Sequence, residues 1–538
     1  MEDNKRGIEQ ESIQENVNEN INQKKKEMTR RSFLKMVVGT GLLAGLSGSL
    51  TGCVKSSPEP AGGKGWLPYQ YNVAGNLPPQ VRGRVPIDQD NPSITRDDQK
   101  CILCGQCLEV CENLEGVFGY YSLPIIDEAI CINCGQCSMA CPTGAICERD
   151  DTKKVFDALA DKNKFVVVQT APATRVALGE EFGLPPGTWV KGQQVAALRR
   201  LGFDAVLDTN FTADLTIMEE ATELIKRIKG EMKKPLPQLT SCSPGWVKFC
   251  EYFYPELIPN LSTCKSPQQM LGALVKTYYA KKRGIDPESI VSVSIMPCTA
   301  KKFEAQRPEM NASAKYWKKD NLRDVDVVLT TRELARMLKE KQIDPTVLPK
   351  ESYDKLMGEE TGGAVIFGTT GGVMEAAVRA AYFFITGQEP PAALLNLTPV
   401  RGLAGIKEAE LEIPGVGMLR VAVSHGMANG RKVLDAIREG KAPWHFVEFM
   451  ACPGGCIGGG GQPRTAVPPT DAVREKRIAA LYKADASLAK RKSYENEEVA
   501  TLYRDFLEHP MSELAEELLH TEYHSRADKL KRALGKVV

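Results

Sequence analysis

Histidine is scarce in this chain. Five occur among 538 residues and none forms a spaced pair, so metal chemistry built on imidazoles has little support. His425 and His445 are expected to be packed or surface residues rather than ligands. Net charge is nearly absent as well. Lysine and arginine number 69 against 68 acidic residues, a formal +1, so no global field draws the chain to nucleic acid. No Gly-x-Gly-x-x-Gly follows an expected strand, so a nicotinamide or flavin fingerprint is missing too. What remains is an ordinary globular composition, 42% apolar and 25% charged, at a length that calls for two or three domains.

Cysteine, by contrast, is abundant. Sixteen are present, clustered and repetitive in spacing, which points to metal rather than to a disulfide framework. From 101 to 147 the chain reads CILCGQCLEVC and then CINCGQCSMACP, two copies of C-x2-C-x2-C-x3-C. This internal repeat has the pattern of a two-cluster bacterial ferredoxin, in which the fourth cysteine of each run crosses to the other cluster. Cys101, Cys104, Cys107 and Cys141 are then expected to hold one [4Fe–4S] cluster, and Cys131, Cys134, Cys137 and Cys111 the second. Zinc is disfavoured by the double register and by the Cys-Pro that closes the second run. The first run ends Cys111-Glu112 where proline is usual, and Cys147, outside the register, is expected to be a buried apolar residue. Such a module carries single electrons, so a further redox centre is expected elsewhere.

The amino terminus reads as an address. Residues 1–27 are polar and unable to bury enough apolar surface to fold alone. TRRSFLK at 29–35 precedes the apolar run MVVGTGLLAGLSGSL, too short and Gly-rich for a comfortable membrane span. Residues 28–53 resemble a twin-arginine export signal, led by Arg30-Arg31, and LTGC resembles a lipoprotein processing box. These resemblances imply engagement of the Tat export machinery and a place in the periplasm or on the outer face of the cytoplasmic membrane, with Cys53 lipidated if the box is used. Residues 54–92 are expected to be linker, and 93–150 a ferredoxin-like α+β domain.

After residue 163 strand-like and helix-like segments alternate. FVVVQTA, DAVLDTNF, SIVSVSIMPC, DVDVVLTT and LRVAVSHG read as short β-branched strands, and DLTIMEEATELIKRIKG and ALVKTYYAKKRG as helices. An α/β domain over 163–465 with largely buried sheets follows, its functional residues on loops at strand ends. Three loops carry cysteine: TSCSPGW at 240–246, MPCTAKKFE at 296–304 and FMACPGGCIGGGGQP at 449–463.

Together these loops resemble the signatures of the [FeFe]-hydrogenases, TSCCPxW, MPCxxKxxE and a Met-Ala-Cys-x-x-x-Cys segment ending in GGGQP. The resemblance implies an H-cluster, a [4Fe–4S] cubane joined through a cysteine sulfur to a two-iron centre with CO, cyanide and dithiolate ligands. It implies reversible oxidation of H2 to protons and electrons, with the electrons relayed through the two ferredoxin-type clusters. Cys298, Cys452 and Cys456 fall on ligand positions, Cys456 on the bridging one. Lys301 matches the lysine that bonds a cyanide, and Met296 and Met450 match walls of the pocket. Glu304, Ser262, Glu223 and Arg227 fall on relay positions for protons, with Arg227 outermost and able to pair with Glu223 at the helix surface. The glycines are expected to let the backbone wrap an inorganic group.

In the first loop the family has two adjacent cysteines, a relay and then a ligand. Here Cys242 takes the relay position and Ser243 the ligand position. Either Ser243 binds iron through oxygen, or Cys242 becomes the fourth ligand and a hydroxyl takes over the relay; the preference of iron–sulfur clusters for thiolate favours Cys242. Residues 470–538 are expected to be helical and resemble the hydrogenase small subunit, fused here to the large domain; Cys250 and Cys264 are expected to be structural. The resemblance also implies maturation proteins that supply the H-cluster and a cytochrome- or ferredoxin-type electron carrier. A hydrogen-sensing relative and a non-enzymatic iron–sulfur assembly relative are the alternatives.

Overall fold

A computed structural model describes residues 83–119 and 129–535. The expected leader, export signal, Cys53 and residues 54–82 of the expected linker lie outside the described residues. Residues 83–92, placed at the end of that linker, are packed against the cysteine-rich region: Val85 is 5% exposed and its amide donates to Cys107 Sγ at 3.3 Å. Asn91, also buried, accepts from the amides of Ser93 and Ile94, so its side chain organises the turn into the first strand.

Ten strands are present among the described residues: β1 Ile94–Arg96, β2 Ile146–Glu148, β3 Phe165–Thr170, β4 Ala205–Asp208, β5 Gln238–Leu239, β6 Ile290–Met296, β7 Val327–Thr330, β8 Ile406–Ile413, β9 Gly417–His425 and β10 Phe446–Met450. β1 and β2 form the antiparallel pair of the ferredoxin-like region. Cys147 sits on β2 and is half-buried, not the buried apolar residue expected. β4-β3-β6-β7 make a wholly parallel sheet, and β5-β10-β9-β8 a second sheet in which only the β8–β9 pair is antiparallel. Runs such as Val166-Val167-Val168 are buried on both faces, as parallel strands covered by helices must be.

Between the sheets' ends runs α1, Thr209–Ile228, buried nearly all round. Asp208 caps it, accepting from the Asn210 amide at 2.8 Å. A second helix, α2 (Pro244–Phe253), starts directly after Ser243, with proline at its first position where the missing amide costs nothing. The C-terminal segment begins with α3, Asp471–Ser487, and Arg477 on it is buried, donating to the Ile457 carbonyl at 2.8 Å. That contact clamps the third cysteine loop.

The site is placed by strand ends. β5, β6 and β10 stop at residues 239, 296 and 450, and the three cysteine loops leave from those ends.

Candidate active site

The eight ferredoxin-type cysteines separate into two groups. Cys101, Cys104, Cys107 and Cys141 line one small pocket, and Cys111, Cys131, Cys134 and Cys137 another, as the crossed assignment requires. Amide donors point at these sulfurs: Asn133 N lies 3.3 Å from Cys131 Sγ, alongside the Val85–Cys107 bond. Such bonds stabilise a thiolate-bound cluster and raise its potential. Glu115, missed by sequence reasoning, lines the second pocket and is 1% exposed. Neither of its carboxyl oxygens has a partner among the described residues, and burial holds it well above the usual carboxylate range. A neutral acid aimed into a pocket of thiols suits a cluster sulfide as acceptor.

A third pocket brings the three loops together. Cys242, Ser243, Cys298, Cys452 and Cys456 all line it, with Met296 and Met450 among its apolar walls. Burial pushes the Cys452 thiol well up, and Cys298, Glu115 and Cys456 push it further; burial and Cys298 push Cys456 up to about 12. Four thiols so disposed are costly as bare thiolates and are relieved by a metal, which deprotonates them outright. Burial, then Glu115 and Cys452, raise the thiol of Cys134, and the third loop's Gly460 lies against the Cys134 carbonyl, so the second ferredoxin-type pocket abuts the third.

Gly455 and Gly459 line this third pocket, and the glycines of the third loop also pack it against its neighbours. A Cβ on Gly459 would strike the Pro297 carbonyl oxygen, and one on Gly460 the Cys134 carbonyl oxygen. The run therefore lets the third loop pack backbone to backbone against the second loop and against the Cys134 turn of the ferredoxin-like region.

Lys301 is 8% exposed, lines the pocket, and donates to the Cys242 carbonyl at 3.0 Å and to Glu304 Oε2 at 2.9 Å. Glu304 also accepts from Ser266 Oγ and Gln268 Nε2. Its bonds thus fix the lysine, and they do not join it to the Ser262–Glu223 pair on which it was expected to act. Ser262 Oγ donates to Glu223 Oε2 at 3.2 Å. Glu223 and Arg227 do pair, but not at a surface: they are 0% and 4% exposed. The pair is interior because α1 is covered on every side.

One acid missed by sequence reasoning completes this row. Glu220 lies one helical turn before Glu223 on α1, with Ser262 hydrogen-bonding it and the Cys242 thiol within its electrostatic reach. Burial pushes it up to about 8, and its Oε2 has no partner among the described residues. The i, i+3 spacing from Glu223 was a signal that could have found it. The order is then Cys242, Glu220, Ser262, Glu223.

His425 is packed, 7% exposed, and its Nδ1 accepts from the Gly454 amide at 3.3 Å behind the third loop. Desolvation, then Lys407, holds it down at about 4, so it stays a neutral acceptor. Cys250 and Cys264 are buried at 0% and 1%, outside all three pockets.

Two four-cysteine pockets, one of them abutting a third that pairs thiols with a lysine beside a row of buried acids, define an iron–sulfur redox enzyme with its own proton supply. Residues 164–460 match the family described as iron only hydrogenase large subunit, C-terminal domain; 471–526 match iron hydrogenase small subunit, and 123–146 a 4Fe-4S binding domain. The NADP-reducing hydrogenase subunit HndD of Solidesulfovibrio fructosivorans is 46% identical over 81% of this chain and 75% of that protein. The periplasmic [Fe] hydrogenase large subunit of Nitratidesulfovibrio vulgaris is 47% identical over 73% of this chain and 91% of that protein. Among solved structures, the [FeFe]-hydrogenase HydA1 from Chlamydomonas reinhardtii superposes with a TM-score of 0.61 at 43% identity, over 70% of this chain and 99% of that one.

This chain belongs to the iron-only hydrogenase family. Its cofactors are [4Fe–4S] clusters and the H-cluster of that family.

Proposed function

We propose that the chain interconverts H2 with protons and electrons at the pocket of Cys242, Cys298, Cys452 and Cys456. The observation that carries this reading is the convergence there of thiols, the Lys301 ammonium and the Glu220–Ser262–Glu223 row. When bound, the H-cluster would supply the redox chemistry that splits and forms H2. The protein's residues do the rest. Cys298, Cys452 and Cys456 hold the cubane, and Cys242 serves as its fourth thiolate, since a serine hydroxyl gives up its proton far less readily. Ser243 Oγ accepts from the Ala451 amide at 3.2 Å, which holds its hydroxyl at the same pocket beside Cys452. Lys301 places a positive charge where anionic ligands gather. Glu220, neutral at ordinary pH, exchanges protons with Ser262 and Glu223.

Cys111, Cys131, Cys134 and Cys137 would hold one [4Fe–4S] cluster against the third loop, and Cys101, Cys104, Cys107 and Cys141 the other, and these clusters would supply the electron-carrying chemistry. Ile102, between two of those ligands, is 65% exposed, so a cytochrome- or ferredoxin-type carrier can reach that end. TRRSFLK and LTGC support Tat export and attachment at Cys53, and the periplasmic relative supports a place outside the cytoplasmic membrane. The H-cluster is delivered by maturation proteins. The test is infrared spectroscopy and H2 turnover on enzyme supplied with its two-iron centre: CO and cyanide bands with turnover are expected, and fully iron-loaded protein without those bands defeats the reading.

A further inference from the structure

Glu223 ends the row of groups leading out from Cys242, and Arg227 cannot take the proton onward. All five N–H groups of Arg227 are engaged: Nε and Nη2 with Glu223 Oε1, Nη2 with the Leu261 carbonyl at 2.8 Å, and Nη1 with the carbonyls of Pro235 at 3.1 Å and Asn260 at 3.0 Å. A guanidinium also stays protonated at any working pH. It anchors the carboxylate and carries nothing.

The other oxygen of Glu223 leads elsewhere. Oε2 accepts from the Thr263 hydroxyl at 3.0 Å, and Thr263 Oγ1 lies 2.7 Å from Nδ1 of His520. His520 belongs to the C-terminal segment, within the part that matches the hydrogenase small subunit. Its Nε2 faces Glu219 Oε2 at 3.1 Å. Glu219 is itself held by the Tyr503 hydroxyl and the Met511 amide, both from the same segment. Thr263 and His520 both line an open cavity with Lys265, Glu516 and His524 at its walls.

We propose that His520 is the solvent-side proton-relay residue of this enzyme, exchanging protons with Glu223 through the Thr263 hydroxyl. The inference rests on the hydrogenase reading and adds the C-terminal segment to its proton path. A hydroxyl carries one proton, so the chain has two polarities. With Glu223 protonated, its O–H donates to Thr263 Oγ1 and the Thr263 O–H donates to a neutral Nδ1. With His520 protonated, Nδ1–H donates to Thr263 and the Thr263 O–H donates to the Glu223 carboxylate. Passing from the first to the second breaks the Glu223 O–H and Thr263 O–H bonds and forms a Thr263 O–H and an Nδ1–H bond. One proton moves, no electron does, and the imidazolium stands against Glu219. The imidazolium then gives its Nδ1 proton to water of the cavity that His520 lines: the Nδ1–H bond breaks, a water O–H bond forms, Nε2–H stays on Glu219, and the Thr263 hydroxyl turns back to the bare Nδ1; H2 production runs the steps backwards. Histidine suits the post because one ring nitrogen can take up and release the proton while the other keeps its hydrogen bond.

The test uses holoenzyme carrying His520→Ala, His520→Gln or Thr263→Val. Infrared bands matching the wild type are expected in all three, with turnover lowered roughly 10-fold or more. Added imidazole is expected to restore His520→Ala, and not Thr263→Val, where the bridging hydroxyl is gone. A readout free of turnover comes from 15N-histidine NMR on enzyme lacking the two-iron centre, where five histidines make assignment by His520→Gln direct. There Thr263→Val is expected to move the His520 Nδ1 resonance. Full turnover in both His520 variants, or a loss with intact bands that imidazole leaves untouched, overturns the relay. Absence of the bands in the wild type would instead defeat the hydrogenase reading.

Discussion

Lys301 spans two loops, its ammonium donating to the Cys242 carbonyl on one side and to the Glu304 carboxylate on the other. A single cation thus locks the first cysteine loop to the second while lining the pocket that takes the H-cluster. Lys301→Met removes the charge and leaves Glu304 buried with one partner fewer. Weak or shifted CO and cyanide bands are expected, with turnover down roughly 10²–10³-fold, the usual cost of losing a preorganised charge at a reacting centre. Infrared spectra beside H2 assays check it; wild-type bands and rates would show the lysine to be a fastener only.

Glu220 is the acid nearest Cys242 in the proton row, and Glu220→Gln keeps its shape while removing its proton chemistry. Turnover is expected to fall roughly 10²–10⁴-fold with the infrared bands in place. Its stability effect has a defined sign. Burial raises the pKa from 4.5 to about 8 in the folded protein, so the folded state holds the proton more tightly across that window. Its contribution is fully present below the unfolded value and is lost as pH rises towards about 8, at up to about 1.4 kcal/mol per pH unit. Denaturation midpoints across that window should fall with pH in the wild type and less steeply in Glu220→Gln.

Sequence alone showed the cysteines because thiolate spacing is local: the crossed pairs 101, 104, 107, 141 and 131, 134, 137, 111 meet as that spacing requires. Of the three strand ends that carry the loops, only that of β6 was legible, in SIVSVSIMPC; β5 is two residues long and β10, FVEFM, has no β-branched run to announce it. β8 was not legible either, because IKEAELEI alternates apolar and acidic residues on a half-exposed edge and lacks such a run. Nor was the burial of Glu223 with Arg227, which depends on what covers α1. Thr263 and His520 are 257 residues apart and meet only through the way the C-terminal segment wraps, which no local pattern encodes.

Arg332 ties the ferredoxin-like region to the catalytic loops. It donates to Glu148 at 2.9 Å, to the Gln462 carbonyl at 2.6 Å and to the Gly460 carbonyl at 2.9 Å, and it is 6% exposed. Arg332→Ala leaves the Glu148 carboxylate with only Arg336 and frees the glycine loop that rests against Cys134. A loss of about 3–5 kcal/mol is expected, as for other broken buried ion pairs. Chemical denaturation measures it, and slower reduction of the H-cluster through the ferredoxin-type clusters should accompany it.

The first loop offers the sharpest test, because Cys242 and Ser243 line one pocket with chemically unequal side chains. If Cys242 is the fourth thiolate, Cys242→Ala loses the H-cluster signals, since three thiolates hold a cubane poorly and the two-iron centre depends on it. Ser243→Ala then keeps the bands and lowers turnover at most, by freeing the Ala451 amide and disturbing a hydroxyl on the proton side. If Ser243 is the ligand, the outcomes exchange: Cys242→Ala keeps the bands and loses turnover, as befits a thiol beside Glu220, whereas Ser243→Ala loses the cluster. Infrared and electron paramagnetic resonance spectra of the two variants decide between the assignments. Ser243→Cys supplies a ligand and a separate relay thiol at once, so turnover is expected to rise under either one. A fall in that variant would mean that the serine hydroxyl, held by the Ala451 amide, is tuned to its place, and that the loop is not a weakened relay.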